Sequence, residues 1–243
     1  GMQSMSQQYL FKPRATASVA IIKSDLRFPV NRIFCVGRNY LAHAREMGND
    51  VDKTTMEPFY FMKDSGALVE SGSAIDYALM TADLHPEMEF VVAIGQAGLA
   101  VSQEDASALI YGYACGFDMT RRDLQAIAKK GAKPWDLGKN FDQAAIISPI
   151  VPRSALPNAS QDPDLTDAKI EFRVNGEIRQ SSTLNMMIWN VSEIIAHLSK
   201  FYHLQPGDLI YTGTPEGVSA VVSGDRLSGS IEGIGTIELA INE

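Results

Sequence analysis

Short apolar runs separated by glycine, proline and polar turns dominate the hydrophobic pattern of the chain. Runs of this length are typical of strands rather than of helices. The predicted strands are residues 19–22, 33–36, 59–62, 85–94, 111–118, 169–174, 177–180 and 209–212, with further glycine-punctuated strands between 224 and 242. The clearest hairpin turns at Asn175-Gly176, because these two residues accept the positive φ values of a type I′ turn.

Four segments have helical periodicity and recognisable ends. Ser102 is a predicted N-cap, Thr120 with Asp123 forms a predicted capping box, and Asn190 with Glu193 starts an apolar-faced helix. The predicted helices are residues 40–46, 102–109, 120–130 and 190–202. Strands outnumber helices and do not alternate with them regularly, which favours an α+β fold over a Rossmann fold or a TIM barrel.

We predict a single large domain at residues 31–243, preceded by an N-terminal arm at residues 1–30. A polar stretch at 154–167 is interpreted as a loop within that domain. Gly1 before Met2 is interpreted as the remnant of a cleaved tag.

Composition and charge restrict the class of function. Of 243 residues, 45% are hydrophobic, and 21 Lys and Arg against 29 Asp and Glu give a net charge of −8. This balance argues against nucleic-acid and anionic-membrane partners, and the apolar runs are too short to span a membrane. Cys35 and Cys115 are expected to be buried free thiols, which indicates a cytoplasmic protein.

Three carboxylates are candidate metal ligands. Glu87 and Glu89 are two residues apart in a predicted strand and share a face, while Asp118 ends an apolar strand where a buried charge needs a partner. Carboxylates are hard oxygen ligands that suit Mg²⁺, Mn²⁺ or Ca²⁺. Because their charges sum to −3, we expect mutual repulsion without a cation. The alternative interpretation of Glu87 and Glu89 is a solvated strand face.

His43 and Glu46 are a candidate catalytic pair. They lie three residues apart in a predicted helix and therefore share a face. A carboxylate beside an imidazole orients it, so the pair could take a proton from water near neutral pH. The alternative is a surface ion pair.

Further polar groups are candidates for contact with an acidic substrate. Arg122 and Gln125 share a helix face just after Asp118, Lys139 follows an irregular aromatic segment, and Thr214 lies in a Gly-Thr-Pro turn after a strand. The alternatives are a solvated helix face, a surface lysine and an ordinary turn.

Taken together, these segments resemble the fumarylacetoacetate hydrolase family. The residues that carry the resemblance are Gly37-Arg38-Asn39-Tyr40 with His43 and Glu46, His85-x-Glu87-x-Glu89, Asp118-Met119-Thr120-x-Arg122-Asp123, Gly138-Lys139, Gly207-Asp208 and Thr212-Gly213-Thr214-Pro215. Within the family, the chain is most similar to bacterial members that hydrolyse fumarylpyruvate, and next to the acylpyruvate hydrolase and oxaloacetate decarboxylase group. This closer likeness is carried by residues 121–125, 134–136 and 187–189.

The resemblance implies a mixed β-sandwich roll, a homodimer and a Mg²⁺ or Mn²⁺ cofactor, with Ca²⁺ as a further option. It implies hydrolysis of the carbon–carbon bond of a 1,3-diketo acid, such as fumarylpyruvate, to pyruvate and an acid, in the breakdown of aromatic compounds. The implied metal ligands are Glu87, Glu89 and Asp118, the implied catalytic residues are His43, Glu46 and Lys139, and the implied substrate contacts are Arg38, Tyr40, Arg122, Gln125 and Thr214.

Three other functions are compatible with the same residues: oxaloacetate decarboxylation, isomerisation of an unsaturated diacid, and binding of keto acids without catalysis. Neither of the first two reactions needs an activated water, so the pair His43 and Glu46 favours hydrolysis. Asp64 stands where the family commonly has proline after Lys63, and we expect its carboxylate to lie near the pocket mouth and repel a dianionic substrate.

Overall fold

The computed structural model describes residues 7–243, so the first six residues of the predicted arm lie outside it, including Gly1 and Met2. The α-helices are α1 Leu41–Glu46, α2 Gln103–Ala106, α3 Arg122–Lys130, α4 Asp136–Lys139 and α5 Val191–Phe201. The strands are β1 Ser18–Ala20, β2 Arg27–Pro29, β3 Ile33–Gly37, β4 Phe59–Lys63, β5 Leu68–Glu70, β6 Ser73–Ile75, β7 Leu84–His85, β8 Met88–Ile94, β9 Ile110–Asp118, β10 Thr120–Arg121, β11 Ala145–Ile147, β12 Val151–Pro152, β13 Lys169–Val174, β14 Glu177–Thr183, β15 Leu209–Tyr211, β16 Arg226–Ile231 and β17 Gly235–Ile241. Short 3₁₀ helices occur at Ser65–Ala67, Ser107–Leu109, Arg153–Ala155, Pro157–Ser160 and Leu184–Met186.

Two sheets build the fold. The larger has the strand order β4-β3-β15-β8-β9-β11-β5, with β12 also paired to β9, and it is mixed because β15 runs parallel to β3 and β11 parallel to β5. Its two edge strands, β4 and β5, are joined by only residues 64–67, so the sheet curls into a roll. The smaller sheet has the order β14-β13-β16-β17-β6. The α+β class and the mixed β-sandwich roll are confirmed.

The roll has two differently packed faces, because side chains alternate along a strand. The outer face packs against the smaller sheet, with the rings of Phe117 and Phe172 5.2 Å apart, edge to face. At this contact a Cβ on Gly229 would overlap the sulfur of Met88, which explains the glycine in β16. The inner face forms a second apolar cluster with Val91 and Tyr211, to which β1 and β2 contribute Val19 and Phe28.

The hairpin turn and two of the helix caps that were predicted from short sequence motifs are present in the structure. The Asn175-Gly176 turn has positive φ at both positions, and Asn190 and Glu193 form a complete capping box on α5. Ser102 accepts the capping hydrogen bond from the Asp105 N–H. No helix within residues 7–243 is long and apolar enough to cross a membrane.

Two predicted boundaries were wrong. The expected strand 85–94 is interrupted at Pro86 and Glu87, because proline has no N–H to donate to a strand neighbour. The helix expected from Thr120 begins instead at Arg122, since Thr120 and Arg121 pair with β7. Asp123 does not form a capping box. Its carboxylate accepts hydrogen bonds from the Thr81 hydroxyl and the Ala82 N–H and ties α3 to the preceding loop.

Candidate metal centre and active site

Glu87, Glu89 and Asp118 meet at one mouth of the roll. Glu89 and Asp118 lie on adjacent antiparallel strands, and the backbones of Glu87 and Asp118 exchange two hydrogen bonds, of 3.1 and 2.9 Å. One carboxylate oxygen from each residue lies within 4.8 Å of the others, and all three side chains are buried. Glu87 joins the group from outside β8, so its position follows from the pairing with Asp118 and not from strand alternation.

Three cations neutralise this cluster, which corrects the expectation of an unbalanced charge of −3. Lys139 Nζ donates to Glu87 Oε1 and Asp118 Oδ2, each at 2.9 Å, and Arg122 donates to Glu87 Oε2 at 2.6 Å. Lys63 Nζ lies 2.7 Å from Asp118 Oδ1. Burial alone would raise the pKa of Glu87, but Lys139 and Arg122 hold it well below its usual range.

Of the three carboxylates, Glu89 is the one that forms no ion pair with a lysine or arginine within residues 7–243. It accepts a hydrogen bond of 2.9 Å from the Gly213 N–H, and burial together with Asp118 and Glu87 raises its pKa well above the usual range. A buried carboxylate with one neutral donor and two anionic neighbours is a position that a cation would stabilise. The oxygen-only donor set fits Mg²⁺, Mn²⁺ or Ca²⁺, so the residues present fit a divalent metal.

Lys63 is a site residue that the sequence analysis missed. Besides its contact with Asp118, its ammonium donates to the carbonyl oxygens of Met119 and Lys139 and is fully buried. The sequence pattern could have indicated it. Residues 59, 61 and 63 are two apart in β4 and share one face, and because the first two are phenylalanine, the lysine at 63 is predicted to lie on an apolar, buried face. The predicted strand ended one residue short of the lysine.

His43 and Glu46 lie on α1, above the carboxylates. His43 Nδ1 is 3.3 Å from Glu46 Oε2, and Glu46 is itself held by the Gly217 N–H at 3.1 Å. Burial lowers the pKa of His43 below its ordinary value, while Glu87 and Glu46 oppose this. The imidazole is therefore neutral at pH 7 and can accept a proton.

The structure also brings together most of the predicted substrate contacts. Arg122 donates to Gln125 Oε1 at 2.7 Å on one face of α3, and the Thr214 hydroxyl donates to the Met88 carbonyl at 2.7 Å. Arg38 lines the same cavity as these three residues, whereas Tyr40 is buried in the core and does not line it.

Two adjoining cavities lie beside the acidic cluster, and Glu87 is the member of the cluster that lines the inner one. The inner one is only about 30 Å³, and its lining includes His43, Glu87 and Arg122. The outer one is about 510 Å³ and has aromatic walls. Four residues line both cavities: Arg38, Phe61, Trp135 and Lys139. The inner cavity has room for one or two water molecules, so a keto acid can enter only if part of the lining moves. The segment that carries His43 contributes four of the lining residues: His43, Ala44, Met47 and Asn49.

Asp64 does not lie where we expected it. It is exposed, caps the 3₁₀ helix Ser65–Ala67 by accepting from the Gly66 N–H, and lines neither cavity. Its charge therefore faces solvent and does not oppose a dianionic substrate at the pocket mouth.

Comparisons with known proteins agree with this geometry. The family described as fumarylacetoacetate (FAA) hydrolase C-terminal matches residues 32–242. A fumarylpyruvate hydrolase of Ralstonia sp is 50% identical over 195 residues, which are 80% of this chain and 98% of that protein. The mitochondrial oxaloacetate tautomerase FAHD1 of Homo sapiens is 39% identical over 202 residues, covering 83% of this chain and 87% of the relative.

Among solved structures, fumarylpyruvate hydrolase from Pseudomonas aeruginosa in complex with Mn²⁺ and pyruvate has a TM-score of 0.88 to this chain at 44% identity. The match covers 97% of this chain and 100% of that one.

Proposed function

The chain belongs to the fumarylacetoacetate hydrolase family, and from that premise we propose that it hydrolyses the carbon–carbon bond of an acylpyruvate, with fumarylpyruvate as the substrate. Pyruvate and fumarate are then the products. The observation that carries the proposal is the imidazole of His43, 3.3 Å from the Glu46 carboxylate, in a cavity that Glu87 of the acidic triad also lines.

Glu87, Glu89 and Asp118 are the residues that would hold the metal, with Mg²⁺ as the proposed ion and Mn²⁺ as the alternative. When bound, such a cation supplies Lewis-acid polarisation of the keto acid's oxygen atoms. The Mn²⁺ and pyruvate in the complex of the Pseudomonas aeruginosa protein support this assignment.

The chain's own residues supply the other functions. Arg122 presents its guanidinium beside Glu87, where it can bind the substrate carboxylate. The Gln125 amide N–H₂ offers a further hydrogen bond, and Thr214 lines the same cavity. His43 takes a proton from water, and Glu46 fixes the imidazole orientation and stabilises the imidazolium that results. The water attacks the carbonyl of the acyl group, and the bond to the pyruvate methylene breaks. The electron pair of that bond leaves on the pyruvate enolate, and the His43 imidazolium returns its proton to the methylene carbon, which gives pyruvate and the free acid.

Lys139 is proposed to stabilise the oxyanion that forms on the attacked carbonyl. In this structure its three protons are donated to Glu87, Asp118 and Thr120. An ammonium has only three donors, so Lys139 can serve the oxyanion only by giving up one of these partners.

The test is hydrolysis by purified protein with Mg²⁺ or Mn²⁺, using fumarylpyruvate, acetylpyruvate and oxaloacetate as substrates. Pyruvate formation is followed through lactate dehydrogenase and fumarate by chromatography. Equal amounts of pyruvate and fumarate support the proposal, and Glu89→Gln is the inactive control because it removes a metal ligand while keeping the side-chain shape. No cleavage of either diketo acid by the metal-loaded protein would contradict it.

Oxaloacetate chemistry is the second candidate, because the FAHD1 relatives and the oxaloacetate decarboxylase of Dictyostelium discoideum share the family at 35–39% identity. These reactions need the acidic triad but no attacking water. His43→Ala therefore separates the two candidates.

We further propose that the protein is a homodimer and acts in the cytoplasm in the breakdown of aromatic compounds, with residues 1–30 as an arm on the catalytic domain 31–243. The family match from residue 32 supports the division at the arm. Light scattering on the purified chain measures the oligomeric state.

A further inference from the structure

Two cations, Arg38 and Lys129, line the inner cavity, and the mechanism proposed above uses neither of them. The guanidinium carbon of Arg38 is 5.1 Å from the centre of the Phe59 ring and 5.9 Å from that of Trp135. The Lys129 ammonium is 5.0 Å from the centre of the Trp135 ring. Both side chains line the cavity that holds Glu87 and His43.

These two cations lack an anionic partner within residues 7–243. Arg38 Nε is buried without a hydrogen-bond partner there, and neither residue takes part in an ion pair, in contrast to Arg122 and Lys139. Burial, and then the charges of Arg38, Arg122 and Lys139, lower the pKa of Lys129 to about 8. Repulsion between partly buried like charges indicates that an anion bound between them would be stabilised.

The position of this pair matches the length of a dicarboxylic diketo acid. Arg122, Gln125 and Lys129 lie on one face of α3, and seven residues of helix rise by about 10 Å. A seven-carbon chain with six C–C bonds of about 1.5 Å extends roughly 7–8 Å. A substrate whose first carboxylate lies beside Arg122 therefore places a carboxylate at its other end within reach of Lys129.

We propose that Lys129 and Arg38 bind the carboxylate at the far end of the acyl group and so select diketo acids that carry a second carboxylate over those that end in an alkyl group. This inference rests on the proposed function. Trp135, which contacts both cations and lines both cavities, forms the apolar wall against which the acyl chain lies.

The experiment compares kcat/KM for fumarylpyruvate, which has the far carboxylate, with kcat/KM for acetylpyruvate, which lacks it. The proteins are wild type, Lys129→Met, Lys129→Arg and the matched control Lys130→Met, all loaded with Mn²⁺. Lys130 is the exposed neighbour on the same helix and lines neither cavity.

In Lys129→Met we expect the ratio of the two kcat/KM values to fall about tenfold or more, through KM for fumarylpyruvate, which is the scale of a hydrogen bond to a charged group. Lys129→Arg should restore most of the ratio, and Lys130→Met should keep the wild-type ratio. If Lys129→Met does not fold, Lys129→Gln provides the same comparison.

A ratio unchanged in Lys129→Met, or an equal loss on both substrates, overturns the inference while wild-type hydrolysis leaves the proposed function standing. Wild-type protein that hydrolyses neither diketo acid overturns the proposed function and the inference with it.

Discussion

Replacing a carboxylate by the corresponding amide should have opposite effects on the stability of the metal-free protein at Glu89 and at Asp118: Glu89→Gln should stabilise it and Asp118→Asn should destabilise it. Asp118 accepts from both Lys63 and Lys139, so Asp118→Asn leaves two buried ammonium groups without their shared anion. Breaking a buried pair in this way costs about 3–5 kcal/mol. Glu89 has no cation in the described chain and a raised pKa, so Glu89→Gln removes only an unfavourable charge.

The expected stability changes of the two variants differ enough to be distinguished by their melting temperatures. The amide of the introduced glutamine can accept from Gly213 as Glu89 does and can donate to the neighbouring carboxylates. We expect Glu89→Gln to gain about 1 kcal/mol, within the usual range of net hydrogen-bond contributions. At roughly 2–4 °C per kcal/mol for a domain of this size, its Tm should rise by about 2–4 °C, whereas that of Asp118→Asn should fall by about 6–20 °C.

Differential scanning calorimetry after EDTA treatment, and again with Mg²⁺ or Mn²⁺, is the assay. Metal at 100 times its Kd should stabilise the wild-type protein by about 2.7 kcal/mol, and both variants should lose most of this gain. If Glu89→Gln and Asp118→Asn lost stability equally in the metal-free protein, the conclusion that Asp118 is paired with cations and Glu89 is not would be refuted.

Three further outcomes are expected. His43→Ala should lower acylpyruvate hydrolysis by about 10²-fold or more while oxaloacetate decarboxylation falls much less, measured side by side with Mg²⁺; equal losses would contradict the role of His43 as the base. Because the pKa of Lys129 is about 8, its ammonium is lost as the pH rises from 7 to 9, so KM for fumarylpyruvate should rise across this range and KM for acetylpyruvate should not. Amides of residues 41–58 should exchange hydrogen more slowly when oxalate and Mg²⁺ are present, because this segment contributes His43, Ala44, Met47 and Asn49 to the lining of the small inner cavity; unchanged exchange would argue against a movement of this segment on binding.

The parts of the site that are close in sequence could be predicted, because spacing alone fixes them. His43 with Glu46 and Arg122 with Gln125 are each three residues apart on helices, and each pair is hydrogen-bonded. The grouping of Glu87 and Glu89 was also expected, although the strand was not continuous. The role of Asp64 could not be read from its position in a motif, since a local capping bond turns it towards solvent.

The charge balance of the site lay beyond the sequence because it depends on distant partners. Lys63 is 55 positions before Asp118, and only the curl of the large sheet brings the end of β4 to the end of β9. The sequence alone does not indicate whether the ammonium of a given lysine is solvated or buried against a carboxylate. For the same reason, the pairing of Thr120 and Arg121 with β7, which delays the start of α3, required the tertiary structure.

The strand order of the roll also has a consequence for how the chain is synthesised. β15 lies between β3 and β8, although both of these strands leave the ribosome more than 100 residues earlier, and β17 closes the smaller sheet beside β6. Until residue 211 is available, β3 and β8 each have an unpaired edge, and such edges promote aggregation. A nascent chain can therefore complete its roll only after β15 has been synthesised, and truncation before β15 is expected to yield insoluble protein rather than a smaller folded domain.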